Sequence, residues 1–188
     1  MPHRIDIDGI SKRLFILNNL VFASKPFCET FQVDRMDEED KPFGWDYYLG
    51  WLKSTVSESL IDTAIKIRVM QDFLKYEEFG ATNFKDIEDR AISGTVVGSF
   101  LPSLEELSVR ETSNKIIHAV EMRLIWINGK NDDGSYEFWN GNVMLEGVKE
   151  NKNWECELYV NNFCVVIERL LSILENEVDW HHIYKYDE

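Results

Sequence analysis

Residues 102–127 read PSLEELSVRETSNKIIHAVEMRLIWI, and within this stretch the hydrophobic period changes. Ser103 and Glu106 follow Pro102 at the spacing at which a hydroxyl and a carboxylate satisfy first-turn amides reciprocally, so a helix is predicted from there to about Ala119. Leu104, Leu107, Ile117 and Val120 supply its apolar contacts. From Glu121 the pattern alternates, with Met122, Leu124 and Trp126 on one face, which is the period of a strand. The fold is therefore mixed.

Downstream, residues 129–134 contain Asn131, Asp132 and Asp133 between two glycines and read as a turn. A second strand follows over 136–148, with Asn140-Gly141 marking a turn or bulge inside it. Trp154, Cys156, Leu158 and Val160 then alternate with polar residues. A three- or four-stranded antiparallel meander is expected over 121–160. Asn161 or Asn162 caps a last helix whose stripe runs Phe163, Val166, Ile167, Leu170, Leu171, Leu174 and should dock on the long helix.

Upstream, residues 45–76 form the longest helical pattern. Val56, Leu60, Ala64, Ile67 and Leu74 make one stripe, and Ile61, Ile65, Val69, Met70 and Phe73 widen it. Gly50 is a possible break. An earlier helix covers 10–23, capped by Ser11 or Asp8 and ended by Pro26. The charged stretch 34–42 reads as a loop, 83–91 as a short helix capped by Thr82 or Asn83, and 93–99 as a flexible connection without the Gly-Lys-Ser/Thr of a phosphate loop. The whole reads as α+β, mainly α. It is an antiparallel helical bundle with a β-meander inserted before its last helix, in a single domain over 1–188.

The chain has 188 residues, 44% hydrophobic and 29% charged, which excludes general disorder. No apolar run approaches the roughly 18 residues of a membrane span. Twenty Lys and Arg face 34 Asp and Glu, for a net charge of −14. Such a surface repels polyanions and anionic membranes, so no DNA and no membrane partner is expected. Cys28, Cys156 and Cys164 form no C-x-x-C pair, so they read as small buried hydrophobes in a reducing, cytoplasmic setting. Trp45, Tyr47, Tyr48 and Trp51 cluster as core or partner-facing anchors. No metal is expected: His181-His182, with Glu177 and Asp179, lacks a further His or Cys. G-x-S-x-G, H-E-x-x-H and dinucleotide fingerprints are missing, so no cofactor is expected.

The candidate site lies inside the opening stretch. Arg110, Asn114 and His118 recur at steps of four, so a helix sets them along one slowly drifting stripe that Glu106 extends toward its N-terminus. Glu106 and Arg110 are also spaced for an ordinary helix ion pair. Histidine suits proton transfer near neutral pH, and arginine offers a fork for phosphate.

Arg110, Asn114 and His118 on a late helix of a small bundle resemble the HEPN superfamily. The resemblance implies a metal-independent endoribonuclease of a bacterial defence or toxin–antitoxin system, acting on RNA as a homodimer whose motif helices meet in a composite cleft. His118 would remove the 2′-hydroxyl proton or protonate the 5′-oxygen, and Asn114 would orient the histidine or the phosphate. Seven residues separate Arg110 from His118, more than is usual in the family. Eight helical steps place the two Cα atoms about 12 Å apart along the axis. The phosphate-stabilising cation is then either Arg110 of a second copy or Lys115 of the same chain, unless the site is inactive. Two other readings stand beside it. One is a non-catalytic acidic module of similar helical fold that binds a protein partner through its aromatic clusters. The other is an unrelated α+β domain with a small-molecule pocket.

Overall fold

The computed structural model describes residues 6–36, 42–76 and 84–180. The acidic run 37–41, the caps Thr82 and Asn83, and the pair His181-His182 lie outside the described residues.

Helix α1 spans Ile7–Phe31. Asp6 opens it, its carboxylate accepting the Gly9 amide at 2.9 Å, in place of Ser11 or Asp8. It buries Ile10, Leu14 and Leu17, and runs past Pro26 to bury Cys28 as well. Pro26 removes a bond only to the Phe22 carbonyl. Both residues are exposed, so water serves that carbonyl while Cys28 gains a buried place.

Helix α2 spans Trp45–Tyr76, unbroken at Gly50. Leu52, Val56, Leu60, Ala64, Ile67 and Met70 are buried. Ile61, Ile65 and Val69, expected to pack on further partners, are exposed. The aromatic cluster divides in the same way. Trp45 packs on Trp126 and Tyr48 stacks on Phe27, whereas Tyr47 and Trp51 face solvent.

After α3 (Phe84–Ile92) comes a strand the sequence pattern did not show, β1 (Gly98–Leu101). Helix α4 spans Val109–His118 and begins later than Ser103. Two Ser-x-x-Glu pairs lie in series, and the second nucleates the helix: the Ser108 hydroxyl accepts the Glu111 amide at 3.1 Å. The first lies in a turn that folds onto β1. There the Leu107 amide bonds the Gly98 carbonyl and Glu106 bridges Ser99. This docking buries Leu107 and Val109 and leaves Leu104 and Val120 exposed. Glu106 is therefore off the helix, and its expected helical pairing with Arg110 does not arise.

Strands β2 (Glu121–Asn131), β3 (Gly134–Lys149) and β4 (Lys152–Tyr159) complete a four-stranded antiparallel sheet of order β1-β4-β3-β2. Asn131 accepts the Asp133 and Gly134 amides in the first hairpin. Glu150 and Asn151 both take positive φ in the second, matching the twist of the strands. Asn140-Gly141 is a bulge opposite Ile125. Gly141 has φ 90°, and a Cβ there would come 2.6 Å from a Val21 methyl.

The rows Gly98–Leu158–Val143–Leu124 and Phe100–Cys156–Leu145–Met122 form the core face. The row between them, Ser99–Glu157–Met144–Arg123, and the row beyond, Leu101–Glu155–Glu146–Glu121, lie on the other face, where Arg123 pairs with Glu146.

Helix α5 (Val160–Glu177) continues directly from β4 without a side-chain cap. Asn162 donates instead to the Val96 carbonyl, and Asn161 to Asn18 of α1. α5 docks on α1 and α3 rather than on α2. Arg90 of α3 grips Glu177 through two 2.7 Å bonds, and Ser11 of α1 donates to Glu168. One apolar cluster joins residues of all five described helices to the sheet. No described helix is long and apolar enough to cross a membrane.

Candidate functional site

Burial of Val109, Thr112, Ser113 and Ile116 fixes the rotation of α4. The opposite side then presents Glu111, Asn114, Lys115 and His118, which share one stripe. That stripe faces Val148 and Lys149 at the end of β3 and Trp154 at the start of β4 across a groove of about 480 Å³. Three of the four candidate residues, Asn114, Lys115 and His118, are thus brought together.

Lys115 is the most constrained of them. Its Nζ lies 4.1 Å from the ring centroid of Trp154 and 4.9 Å from that of Phe100. Ring faces attract the ammonium ion without offering it an acceptor. The indole is also set against Gly147, where a Cβ would stand 2.2 Å from Trp154 Cζ2. Burial holds the Lys115 ammonium below the ordinary lysine range and Lys149 pushes the same way, against the pull of Cys156 and Glu111. Beneath it, burial pushes the Cys156 thiol up to about 11.

Arg110 goes elsewhere. Its Nη2 donates to Asp72 of α2 at 3.4 Å, and it does not line the groove. It leaves the first turn of α4 and leans toward the helix N-terminus, away from His118. Asp72 also accepts from Arg68, whose Nη1 donates to Gln71 at 2.7 Å. Gln71 in turn donates to Glu88 of α3 at 2.5 Å. Burial raises the Glu88 carboxyl above its ordinary value, opposed by Gln71 and then by Arg110. Arg110 therefore belongs to a polar tie between α2, α3 and α4.

Among the described residues, the side chains of Asn114, His118 and Lys149 make no hydrogen bond or ion pair, and the Lys115 ammonium meets only rings. They line one groove together with the Glu111 carboxylate, two ammonium groups to one acid, a balance that favours an oxyanion. Lys149, Phe100 and Gly147 were not singled out in the sequence, and Trp154 was read only as a strand residue, because strand pairing brings them to the site from a distance. Trp154 opposite Gly147 in one strand pair is the one sequence signal that could have found them. No group of three or more His, Cys, Asp or Glu among the described residues is placed to hold a metal ion.

Comparison with protein-family models, with curated proteins and with solved structures returned no match.

Proposed function

We propose that the α4 groove holds an RNA phosphodiester and that the chain is a metal-independent endoribonuclease-type module, HEPN-like in its helical part, of a bacterial defence or toxin–antitoxin system. The observation that carries this reading is the convergence of Asn114, Lys115, His118 and Lys149 on one groove with their donors unspent. The chain carries a net charge of −14, whereas in this groove Lys115 and Lys149 outnumber Glu111, which favours a phosphate there.

Lys115 takes the cationic role that the resemblance gives to arginine, because it lines the groove beside His118 and Arg110 does not. His118 accepts the proton of the ribose 2′-hydroxyl as that oxygen attacks phosphorus. Lys115 and Asn114 hold the non-bridging oxygens as charge develops on them. The bond from phosphorus to the 5′-oxygen breaks, and the leaving oxygen takes a proton from the Lys115 ammonium, which burial makes a readier donor. The product is a 2′,3′-cyclic phosphate, and DNA, lacking the 2′-hydroxyl, is not cut.

The test is cleavage of single-stranded RNA in the presence of a chelator. His118→Ala and Lys115→Ala should each lose at least a hundredfold, within the usual range for a lost proton-transfer group, while Arg110→Ala keeps most of the activity. Full activity in His118→Ala overturns the proposal. The second reading, a non-catalytic acidic module, is favoured by the solvent-facing Tyr47 and Trp51. It predicts no cleavage at any pH and a stable complex with a protein partner.

A further inference from the structure

We infer that the outer face of α2 docks a second copy of this chain, antiparallel, about a two-fold axis level with residue 56. The large apolar residues exposed on this side are Phe43 (43%), Tyr47 (55%), Trp51 (64%), Ile61 (41%), Ile65 (46%) and Val69 (41%). With Ser54 and Glu58 between them, the steps from Tyr47 to Ile65 alternate four and three, the period of a helix–helix seam. At its N-terminal end Phe43 packs on Phe27 and Phe31 of α1, and Tyr47 and Trp51 border an apolar cleft with Leu20 and Ala23, while Ile61, Ile65 and Val69 stand exposed. α1 takes one flank of α2, through Arg13–Asp62 and Tyr48–Ser24, and Arg110 of α4 reaches Asp72, which ends the stripe one step beyond Val69.

Two observations select a second copy as the occupant. The first is order. Reversing the helix about residue 56 brings Tyr47 opposite Ile65 of the other copy, Trp51 opposite Ile61 and Ser54 opposite Glu58, with Phe43 beside Tyr47 just ahead of the helix. Each large apolar residue of the face from Tyr47 to Ile65 meets another, as an isologous contact requires. The one polar pair lies nearest the axis, where a hydroxyl facing a carboxylate fixes the register. Gly50 belongs to the same side: a Cβ there would meet nothing within 4 Å. Glycine weakens an isolated helix, but it admits a second helix closely.

The second observation is area. Aromatic side chains carry about 150–250 Å² each, so the exposed fractions sum to roughly 600 Å² of apolar surface. A standard interface takes about 800 Å² from each partner, of which roughly 500 Å² is apolar. The face supplies what a stable dimer needs. It lies away from the α4 groove, so the inference stands or falls independently of the RNA reading, and the composite cleft of the family resemblance is not required.

The test is the solution mass of the full chain across a micromolar concentration series, read by light scattering. Twice 22.1 kDa is expected for the wild type and for Lys115→Ala, falling to 22.1 kDa in Trp51→Glu. Ile61→Lys should behave as Trp51→Glu does, and both sites are exposed enough for circular dichroism to report an unchanged fold. With a mild oxidant, the double variant Ser54→Cys/Glu58→Cys should give an interchain disulfide, and Lys53→Cys, on another flank of α2, should not. The inference is overturned by a wild type that is monomeric throughout, by a mass that rises only on adding a different protein, by a dimer that Trp51→Glu and Ile61→Lys leave intact, or by a dimer in which the cysteine pair does not link.

Discussion

Gly147→Ala tests how the groove is built. The new methyl would stand 2.2 Å from Trp154 Cζ2 and 3.0 Å from the His118 carbonyl oxygen. Carbon atoms settle at about 3.5–4.0 Å, so the indole must retreat by more than 1 Å, and the α4 backbone behind blocks escape in the other direction. A ring that shifts disturbs its contact with the Lys115 ammonium, which sits 4.1 Å from its centroid. Overpacking of this kind costs about 1–3 kcal/mol, and disturbing the cation–ring contact adds about 0.5–1 kcal/mol. A loss of about 2–3 kcal/mol is therefore expected, measured by urea unfolding followed through tryptophan fluorescence. The double variant Gly147→Ala/Trp154→Ala supplies the control. With the indole gone the methyl meets open space, so the two changes should fall short of additivity by about 1–2 kcal/mol. Lys115 gives a second readout: with the ring displaced it rehydrates, and its titration moves up toward the ordinary lysine value of 10.5. A Gly147→Ala variant as stable as wild type, or strict additivity in the double variant, refutes the account of Trp154 as the spacer that positions Lys115.

Other outcomes follow from the same geometry. Ser108→Ala should cost about 1 kcal/mol by removing the cap of α4, and Ser103→Ala close to nothing, since the first Ser-x-x-Glu pair starts no helix; thermal melts compare them, and equal losses would place the helix start wrongly. Glu88, whose carboxyl is raised by burial, binds its proton more tightly folded than unfolded. Its share of stability is thus fully present below its ordinary 4.5 and is lost as pH rises through the raised value. The urea midpoint of wild type relative to Glu88→Gln should accordingly fall over that window, and a difference that stays flat or rises contradicts the burial. Burial also pushes Cys28 and Cys156 to about 11 and Cys164 to about 12, so a thiol-reactive dye should find none of them in the native chain at neutral pH and all three in denaturant.

What could be read beforehand divides along local and non-local lines. The limits of α2, the alternation in β3 and β4 and an interruption at Asn140-Gly141, read as a turn or a bulge, were legible, since each is written in a period or a turn residue within its own segment. The errors share one cause, which is tertiary contact overruling a local signal. Pro26 marks a helix end by its chemistry, but it falls on the solvent side and the burial of Cys28 carries α1 past it. Ser103 and Ser108 open equivalent capping boxes, and only the docking of Leu107 against Gly98 decides between them. β1 is too short to alternate and exists because β4 offers it an edge.

The site obeys the same division, and this bears on which residue is the cation. Spacing along a helix can say that Arg110, Asn114 and His118 rise along one stripe, but a stripe has two ends, and the ends of α4 have different neighbours. Its N-terminal end meets Asp72, on the tie that runs through Gln71 to Glu88, and that tie claims the guanidinium. Its C-terminal end meets the tip of the β3–β4 hairpin, where Gly147 leaves room for Trp154 and Trp154 holds Lys115. An arginine committed to a carboxylate must give up that pair before it can hold a phosphate, whereas an ammonium resting on two rings gives up no acceptor. Phosphate titrated into the protein should therefore shift the resonances of Lys115 and His118 and leave Arg110 unmoved. Were Arg110 to respond first, the opposite end of the helix would be the site and the groove only a gap beside it.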